Sequence, residues 1–285
     1  MTRTEFRFFD RLRVRWAEID AQKIVFNGHY LMYFDTAVAG YWRALSLPYA
    51  QTMEQFAGDL FVRKATVEYL ASARYDDMID VGLRCARIGN SSIVFSGAVF
   101  RQDQLLVTGE LVYVFADPHT QTAKQVPPAL RDVFLGFEAG EAMVDVKLGD
   151  WDALGAAART IRTEVFIGEQ KIPMEMEWDE ADRSALHAVA FNRLGLALAT
   201  GRLLREAPGI ARIGRMAASQ TVRGSGLGRA VLDALMQAAR ERGDSEAVLN
   251  AQTSASAFYA RAGFTPRGPV FDEAGIAHVE MTRAL

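Results

Sequence analysis

The residues best suited to chemistry lie in a glycine-rich stretch of the second half of the chain. Glycines alternate at 224, 226 and 228, directly after a strand-like apolar run and directly before a long helical pattern. A strand, a tight turn and a helix start together expose several backbone N–H groups, and the helix end adds partial positive charge. This arrangement predicts an anion site, for example for a pyrophosphate, where glycine permits the backbone angles and leaves the approach open.

Two better-known phosphate motifs do not fit this stretch. A Walker A loop needs Gly-Lys-Ser/Thr where the chain has Leu227-Gly228-Arg229, and a dinucleotide fingerprint needs glycine at position 229 or 231. The remaining pattern, Gln-x-x-Arg-Gly-x-Gly-x-Gly from Gln220, resembles the acetyl-CoA pyrophosphate loop of the GNAT acyltransferase superfamily. The resemblance implies acetyl-CoA, or CoA, as co-substrate and the following contact residues: Met216, Ala217, Ala218, Arg223, Gly224, Ser225, Gly226, Leu227, Gly228, Arg229, Gln252 and Phe258.

The downstream sequence has the same order of elements as that superfamily. A short strand is predicted at 248–252 and a helix at 254–261 that contains Phe258-Tyr259, followed by Ala262-Gly263-Phe264. The resemblance implies that Tyr259 protonates the departing CoA thiolate. A phenol titrates near pH ~10 and a thiol near ~8.5, so this transfer is expected to be nearly balanced. The alternative is that both rings are ordinary core aromatics.

A third block, residues 162–173, precedes a run of acids, and together with residues 273–281 it resembles the ElaA-like branch of the superfamily. An acidic cluster in this place is expected to bind a protonated amine acceptor, with one carboxylate or a histidine as base. The alternative is a solvated charged loop, which we favour for most of these carboxylates, Glu175 among them. Glu169 is the exception, because it directly follows an apolar helix face. The candidate acceptor-site residues are Glu169, Glu177, Asp179 and His187.

Length and composition exclude several classes of protein. A chain of 285 residues predicts two domains, and its net charge of −3 gives no electrostatic case for nucleic-acid binding. One cysteine, Cys85, excludes an internal disulfide framework and favours a reducing, cytoplasmic location. No signal-peptide core or membrane-length apolar run is present, so no membrane association is expected, and no metal is expected either.

The first half of the chain predicts one long apolar helix wrapped by an antiparallel sheet. Its helical stripe runs over 30–47 and follows a polar loop, Ala17 to Gly28. The periodicity indicates strands at 12–16, 78–88, 92–101 and 105–116, with a mixed segment at 60–70 and a short amphipathic tail after Pro127-Pro128.

That order resembles the hotdog-fold acyl-CoA thioesterases of the 4-hydroxybenzoyl-CoA type. The resemblance rests on Val14-x-Trp16-x-Glu18-x-Asp20 and on Ile24 to Asp35, with weaker support further on. It implies that Asp20 attacks the thioester or activates water, and that backbone N–H groups near Asn27 and Gly28 polarise the thioester carbonyl. Glu18 and His29 are candidates for substrate contacts. Alternatively, Asp20 is a turn or capping residue and His29 belongs only to the helix start.

We therefore expect an α+β protein with a hotdog domain at 1–138, a linker at 139–143 and a GNAT domain at 144–285. The expected function is bifunctional, with acyl-CoA hydrolysis in the first domain and acetyl transfer to a small amine in the second. The alternative is that one or both domains only bind acyl-CoA or mediate dimerisation. Lys23 keeps that alternative open, because many relatives carry glycine or histidine there. Related hotdog domains place the active site between subunits, which implies a homodimer or homotetramer.

Overall fold

The computed structural model describes all 285 residues. It divides them into two compact units, Met1–Met143 and Val144–Leu285. No helix is both long enough and apolar enough to cross a membrane.

The first unit is a five-stranded antiparallel sheet with one long helix against it. The strand order is β1-β3-β4-β5-β2. Its strands are β1 (Phe8–Arg13), β2 (Asp59–Tyr69), β3 (Met78–Ile88), β4 (Ser92–Arg101) and β5 (Gln104–Ala116), and its helices are α1 (His29–Ala44), α2 (Tyr49–Gln55) and α3 (Pro128–Glu138). The predicted long helix and the three later strands are confirmed, and the mixed segment at 60–70 lies in β2.

The predicted strand at 12–16 is displaced toward the N-terminus. Strand β1 pairs with β3 only as far as Arg13, which lies opposite Met78, the first residue of β3. Beyond that point β1 has no partner strand, and the chain turns into a short 3₁₀ helix at Trp16–Glu18. Alternating side chains alone do not locate a strand end that depends on where the neighbouring strand begins.

The position of α1 on the sheet is fixed by one aromatic ring. Phe34 is fully buried over Gly97 of β4 and Gly109 of β5, which are paired with each other across the two strands. A Cβ at Gly97 would lie 2.5 Å from the Phe34 ring, and one at Gly109 would lie 2.6 Å from it. Larger residues at these positions would therefore push the helix off the sheet, because packed interiors have no spare volume.

The second unit is a seven-stranded sheet in the order β11-β12-β10-β9-β8-β7-β6. Its strands are β6 (Val144–Gly149), β7 (Leu186–Asn192), β8 (Ala197–Ala207), β9 (Ile210–Ala218), β10 (Glu246–Gln252), β11 (Thr265–Glu273) and β12 (Ile276–Ala284). Its helices are α4 (Trp151–Arg162), α5 (Met174–Glu177), α6 (Leu227–Glu241) and α7 (Ser256–Arg261), with a π-helical segment at Thr163–Glu169 between α4 and α5.

Strands β9 and β10 separate toward their C-terminal ends. They pair in parallel only from Ile210 to Arg212 on β9, opposite Glu246 to Val248 on β10. Further along, β9 pairs only with β8 and β10 only with β12. The backbone of Arg215 adopts a left-handed φ of +51°, and the β8–β9 register shifts beside it, as in a bulge. A gap lined by backbone groups therefore opens in the middle of the sheet.

Helix α6 connects β9 to β10 and buries one face against the sheet. Its buried residues recur every three or four positions, which is the spacing of one helix face. They are Leu227, Val231, Leu232, Leu235, Met236 and Ala239. This packing fixes the start of α6 at the end of β9, beside the gap.

Candidate functional sites

The start of α6 presents unpaired backbone amides. Gly224 and Gly226 have left-handed φ values of +83° and +91°, and Gly226 is the N-cap residue, where no side chain caps the helix. The first bonded amide is that of Ala230, which donates to the Gly226 carbonyl, so the amides of residues 226–229 have no acceptor within the protein. Helix α4 differs, because the Asp150 side chain accepts from its third residue. The helix start at Gly226 is therefore open to an anion.

A cavity of about 470 Å³, which we call the α6 cavity, lies in front of these amides. The end of β9, the glycine loop and α7 form its walls. Its lining residues are Met216, Ala217, Ala218, Val222, Arg223, Gly224, Gly226, Leu227, Gly228, Arg229, Ala255, Phe258, Tyr259 and Arg261. Open amides, arginines and an apolar wall beside the β9–β10 gap fit a pyrophosphate that carries a long, mostly apolar arm.

Tyr259 lies in the wall of the α6 cavity and is only 8% exposed. Its ring contacts Phe258 and Phe264 edge-on. Burial raises the pKa of Tyr259 to about 12, so the side chain is a neutral phenol at physiological pH. A thiol titrates near ~8.5 in water, so the raised pKa makes this phenol a weaker proton donor to a thiolate than a phenol in water.

The π-helical segment is attached to both sides of the β9–β10 gap. The hydroxyl of Ser219, just past β9, donates to Glu164 at 2.6 Å. The side chain of Gln252, at the end of β10, donates to Gln170 at 2.9 Å. Irregular helical turns of this kind are frequent at functional sites, and here the turn spans the open end of the gap.

A second open helix start occurs in the first unit. Gly28 is the N-cap residue of α1 and no side chain caps the helix. The first bonded amides are those of His29 and Tyr30, so the amides of Asn27 and Gly28 have no acceptor within the protein. Asn27 is exposed and Gly28 half-buried, and the Tyr69 hydroxyl donates to the Asn27 carbonyl. These two amides are free to bind a carbonyl oxygen.

Asp20 lies in a tight turn that precedes this helix start. A bridge between Ile19 and Val25 closes the turn, and the Asp20 amide donates to the Ile24 carbonyl. One carboxylate oxygen of Asp20 accepts from the Gln22 amide at 2.8 Å, which is an Asx turn. The side chain is half-buried, and its second oxygen has no partner within the protein. Asp20 therefore has a structural contact and one oxygen left for chemistry.

A cavity of about 390 Å³, which we call the α1 cavity, lies between α1 and the edge of the sheet. Its walls are mainly apolar, as expected for a site that holds a hydrocarbon or aromatic group. Burial and the neighbouring Asp35 raise the pKa of Tyr113, at the cavity wall, to about 12. The lining residues are Leu31, Met32, Asp35, Thr36, Val62, Ala65, Leu111 and Tyr113.

Comparison with known proteins matches each half of the chain to a different family. Residues 22–108 match the family model described as "Thioesterase superfamily", and residues 157–285 match "Acetyltransferase (GNAT) domain". The second half is 34% identical over 124 residues to "Uncharacterized N-acetyltransferase YjcF" of Bacillus subtilis (strain 168), which covers 43% of this chain and 87% of that protein.

The first half is 28% identical over 131 residues to "Acyl-CoA thioester hydrolase YbgC" of Escherichia coli O6:H1, covering 46% of this chain and 96% of the relative. A solved structure, "Crystal Structure of an Acyl-CoA N-acyltransferase from Pseudomonas aeruginosa", is 35% identical and covers 50% of this chain and 99% of its own, with a TM-score of 0.45. The chain belongs to both families. It joins a thioesterase-superfamily domain of the hotdog fold to a GNAT acetyltransferase domain.

In the thioesterase domain, Glu18 does not face the site that the sequence predicted. Its carboxylate is 3% exposed and is bonded to the Arg15 guanidinium, the Arg15 amide and the Tyr33 hydroxyl. Burial disfavours the charged form of Glu18, but these hydrogen bonds outweigh it and lower the pKa. Glu18 thus holds the chain in place before the turn, while His29, the first residue of α1, is half-buried against the Phe26 ring.

In the acetyltransferase domain, the acidic cluster is neutralised by arginines. Arg162, only 1% exposed, donates to Glu177 at 2.5 Å and to Asp182 at 2.7 Å. Arg202 donates to Asp179 through both terminal nitrogens, at 2.6 and 2.7 Å, and shares Asp182. Glu177 and Asp182 therefore belong to a buried ion cluster, with the partly exposed Asp179 at its edge, rather than to an open acidic pocket.

The pKa shifts in this cluster arise mainly from burial and from the neighbouring arginines. The pKa of Glu177 is raised, mainly because the group is buried. The hydrogen bonds from Arg202 lower the pKa of Asp179. His187 is 1% exposed, its Nε2 lies 2.8 Å from the Asp182 carbonyl, and burial lowers its pKa. Glu177 and His187 are therefore closed to an acceptor, and Glu169 and the partly exposed Asp179 remain accessible.

Sequence reasoning missed several residues at both sites. The α1 cavity and Arg261 of the α6 cavity were not predicted, because residues distant in sequence form these walls. Glu164 and Gln170 carry no motif that would have indicated their contacts. No group of three or more His, Cys, Asp or Glu side chains is arranged to hold a metal ion.

Lys23 occupies a backbone conformation that favours glycine. Its φ is +62°, in the left-handed region, and its exposed side chain pairs with no carboxylate. A residue with a Cβ in this region costs on the order of 1–2 kcal/mol. The side chain therefore neither supports the Asp20 turn nor contacts the domain's candidate site.

We expect Lys23→Gly to stabilise the thioesterase domain by up to about 1 kcal/mol, or roughly 4 °C in melting temperature, because it relieves the left-handed strain. Calorimetric melting measures the shift. Lys23→Ala is the matched control, since it removes the same charge and keeps the Cβ. An equal gain in both variants would show that charge, and not backbone strain, is responsible.

Proposed function

We propose that both domains act on CoA thioesters: the acetyltransferase domain transfers an acetyl group from acetyl-CoA to a small amine, and the thioesterase domain hydrolyses an acyl-CoA. One observation carries the proposal. In each domain a long helix begins at a glycine without a side-chain cap, and backbone amides at that start are open to a ligand: those of Asn27 and Gly28 before α1, and those of residues 226–229 at α6. Such amides bind phosphate or stabilise an oxyanion.

For acetyl transfer, the amides of residues 226–229 hold the pyrophosphate, and the pantetheine arm enters the gap between β9 and β10. The acceptor ammonium first loses a proton to solvent. Its neutral nitrogen attacks the acetyl carbonyl carbon, the C–S bond breaks, and the electron pair of that bond stays on sulfur. Tyr259 donates its hydroxyl proton to that sulfur, and the ammonium formed on the acceptor loses a proton to a base. Because burial makes Tyr259 a weak acid, the developing thiolate charge must draw the proton as the bond breaks.

A cationic amine is the proposed acceptor class because Glu164 and Glu169 are exposed carboxylates on the π-helical segment beside the gap. Asp179 is partly exposed, but both of its oxygens are paired with Arg202, so it contributes less. The internally paired acids contribute little, since their charges are matched by Arg162 and Arg202.

For thioester hydrolysis, the acyl group lies in the α1 cavity and the Asn27 and Gly28 amides hold the thioester oxygen. The free carboxylate oxygen of Asp20 attacks the thioester carbon or removes a proton from the attacking water. If Asp20 attacks, the C–S bond breaks, CoA leaves, and water hydrolyses the anhydride formed on Asp20 to release the carboxylic acid. If water attacks, its C–O bond forms, the C–S bond breaks, and the proton taken by Asp20 passes to the CoA sulfur. The Asx turn at Asp20 also supports a second candidate function, an acyl-CoA-binding module without hydrolysis, because that contact alone accounts for the residue.

We also propose that the thioesterase domain assembles as a homodimer or homotetramer in the cytoplasm. Leu31, Met32 and Val62, at the rim of the α1 cavity, are 40%, 55% and 56% exposed, and β2 is an edge strand. Apolar side chains grouped at a sheet edge favour a partner surface. The free thiol of Cys85 supports a reducing compartment.

Asp20→Asn separates the two candidate functions of the thioesterase domain. Asparagine keeps the turn, because its side-chain oxygen still accepts from the Gln22 amide, but it removes the nucleophile or base. Thiol release from acyl-CoA substrates is expected to fall at least about a hundredfold while the melting temperature stays the same. If the variant hydrolyses acyl-CoA as fast as the parent, Asp20 has only the structural role.

Tyr259→Phe tests the acid in the acetyltransferase domain. The substitution keeps the ring packing and deletes only the hydroxyl, so acetyl-CoA binding is expected to persist while amine acetylation slows about a hundredfold or more. Steady-state kinetics and calorimetry measure the two quantities. The loss should shrink for acetyl thioesters of more acidic thiols, whose thiolates leave without a proton. Normal turnover with acetyl-CoA would return Tyr259 to a packing role.

A further inference from the structure

One ion pair connects the glycine loop to the π-helical segment. Arg223 directly precedes Gly224 and donates to both carboxylate oxygens of Glu169, from Nη1 at 2.7 Å and from Nη2 at 2.5 Å. Its Nε donates to the Ala218 carbonyl at 3.0 Å. Every nitrogen of the guanidinium is therefore engaged, although Arg223 lines the α6 cavity beside the open amides.

A pyrophosphate in this cavity competes with Glu169 for the same guanidinium. Carboxylate and phosphate oxygens match the planar arginine fork equally well, and each pairs with it in a bidentate manner. The Arg223 and Glu169 side chains are 40% and 38% exposed, so the pair is accessible to solvent and to a ligand. Pairs this exposed are weak and can be exchanged at small cost.

We propose that Arg223 exchanges partners when the donor binds, from the Glu169 carboxylate to the pyrophosphate of CoA. Glu169 thereby competes with the donor for Arg223 and becomes an unpaired carboxylate beside the gap only after the donor has bound. This inference rests on the proposed acetyl-CoA function of the domain. The Glu169 carboxylate therefore becomes available to a cationic acceptor only when the donor is bound.

The exchange is local. The other two contacts of the π-helical region, Glu164 with Ser219 and Gln170 with Gln252, involve no pocket arginine. They remain when Arg223 moves, so only two side chains change position. Arg229 provides a contrast within the same cavity, because its carboxylate partner Asp233 lies on its own helix, one turn further on.

The test is calorimetric titration of CoA into the acetyltransferase site of the full-length parent and of Glu169→Gln. The variant is expected to bind CoA about twofold to fivefold more tightly, because an exposed ion pair of this strength no longer has to be broken. Glu175→Gln is the matched control. It removes the same charge from an exposed, unpaired acid nearby, and its CoA affinity should equal that of the parent.

Two further titrations show whether the effect runs through Arg223 and the pyrophosphate. Arg223→Gln should weaken CoA binding about tenfold, and adding Glu169→Gln to it should change nothing more. S-acetylpantetheine, which lacks the pyrophosphate, should bind the parent and Glu169→Gln equally.

Three results would overturn the exchange alone, given a parent that binds CoA. They are unchanged or weaker CoA binding by Glu169→Gln, equal tightening by Glu175→Gln, and a Glu169→Gln gain that persists without Arg223. A parent that does not bind CoA in this domain would overturn the proposed function together with the exchange.

Discussion

The two candidate sites depend on helix starts whose amides are left unpaired. An α-helix cannot satisfy its own first amides, and in α4 the Asp150 side chain accepts a hydrogen bond from one of them. Helices α1 and α6 begin at Gly28 and Gly226, which offer no capping side chain, at a cost of roughly a few tenths of a kcal/mol each. Phe34 packs against Gly97 and Gly109, and the apolar face of α6 packs against its sheet. These contacts fix the positions of the two helix starts.

The carboxylates near the proposed acceptor site of the acetyltransferase domain fall into two groups, one buried and paired with arginines and one exposed. Arg162 and its carboxylate partners are sequestered, and such a buried cluster adds little net stability but is costly to break. Glu164 and Glu169 remain at the surface, each joined to an element that borders the gap. The structure thus leaves a small number of carboxylates for a ligand, although the sequence contains a long acidic run.

Much of the fold can be predicted from the sequence, because the patterns that indicate its helices and strands are local. The period of two at 78–116 and the stripe over 30–47 correspond to β3, β4, β5 and α1, and the alternating glycines correspond to left-handed turns at Gly224 and Gly226. The ion pairs between the acids and the arginines cannot be predicted from the sequence, because Arg162 and Glu177 come into contact only in the folded chain. The end of β1, the α1 cavity and the raised pKa of Tyr259 likewise depend on neighbours distant in sequence.

The most direct test of the account is calorimetric titration of CoA, which cannot be hydrolysed, into Gly226→Asp. A side chain at this left-handed position is strained and places a negative charge before the open amides, so the isotherm should lose the acetyltransferase site while thiol release by the thioesterase domain continues. Gly195→Asp is the matched control, since it places the same side chain at another left-handed glycine with open space around it, and it should leave CoA binding unchanged. Unchanged CoA affinity in Gly226→Asp would contradict the account.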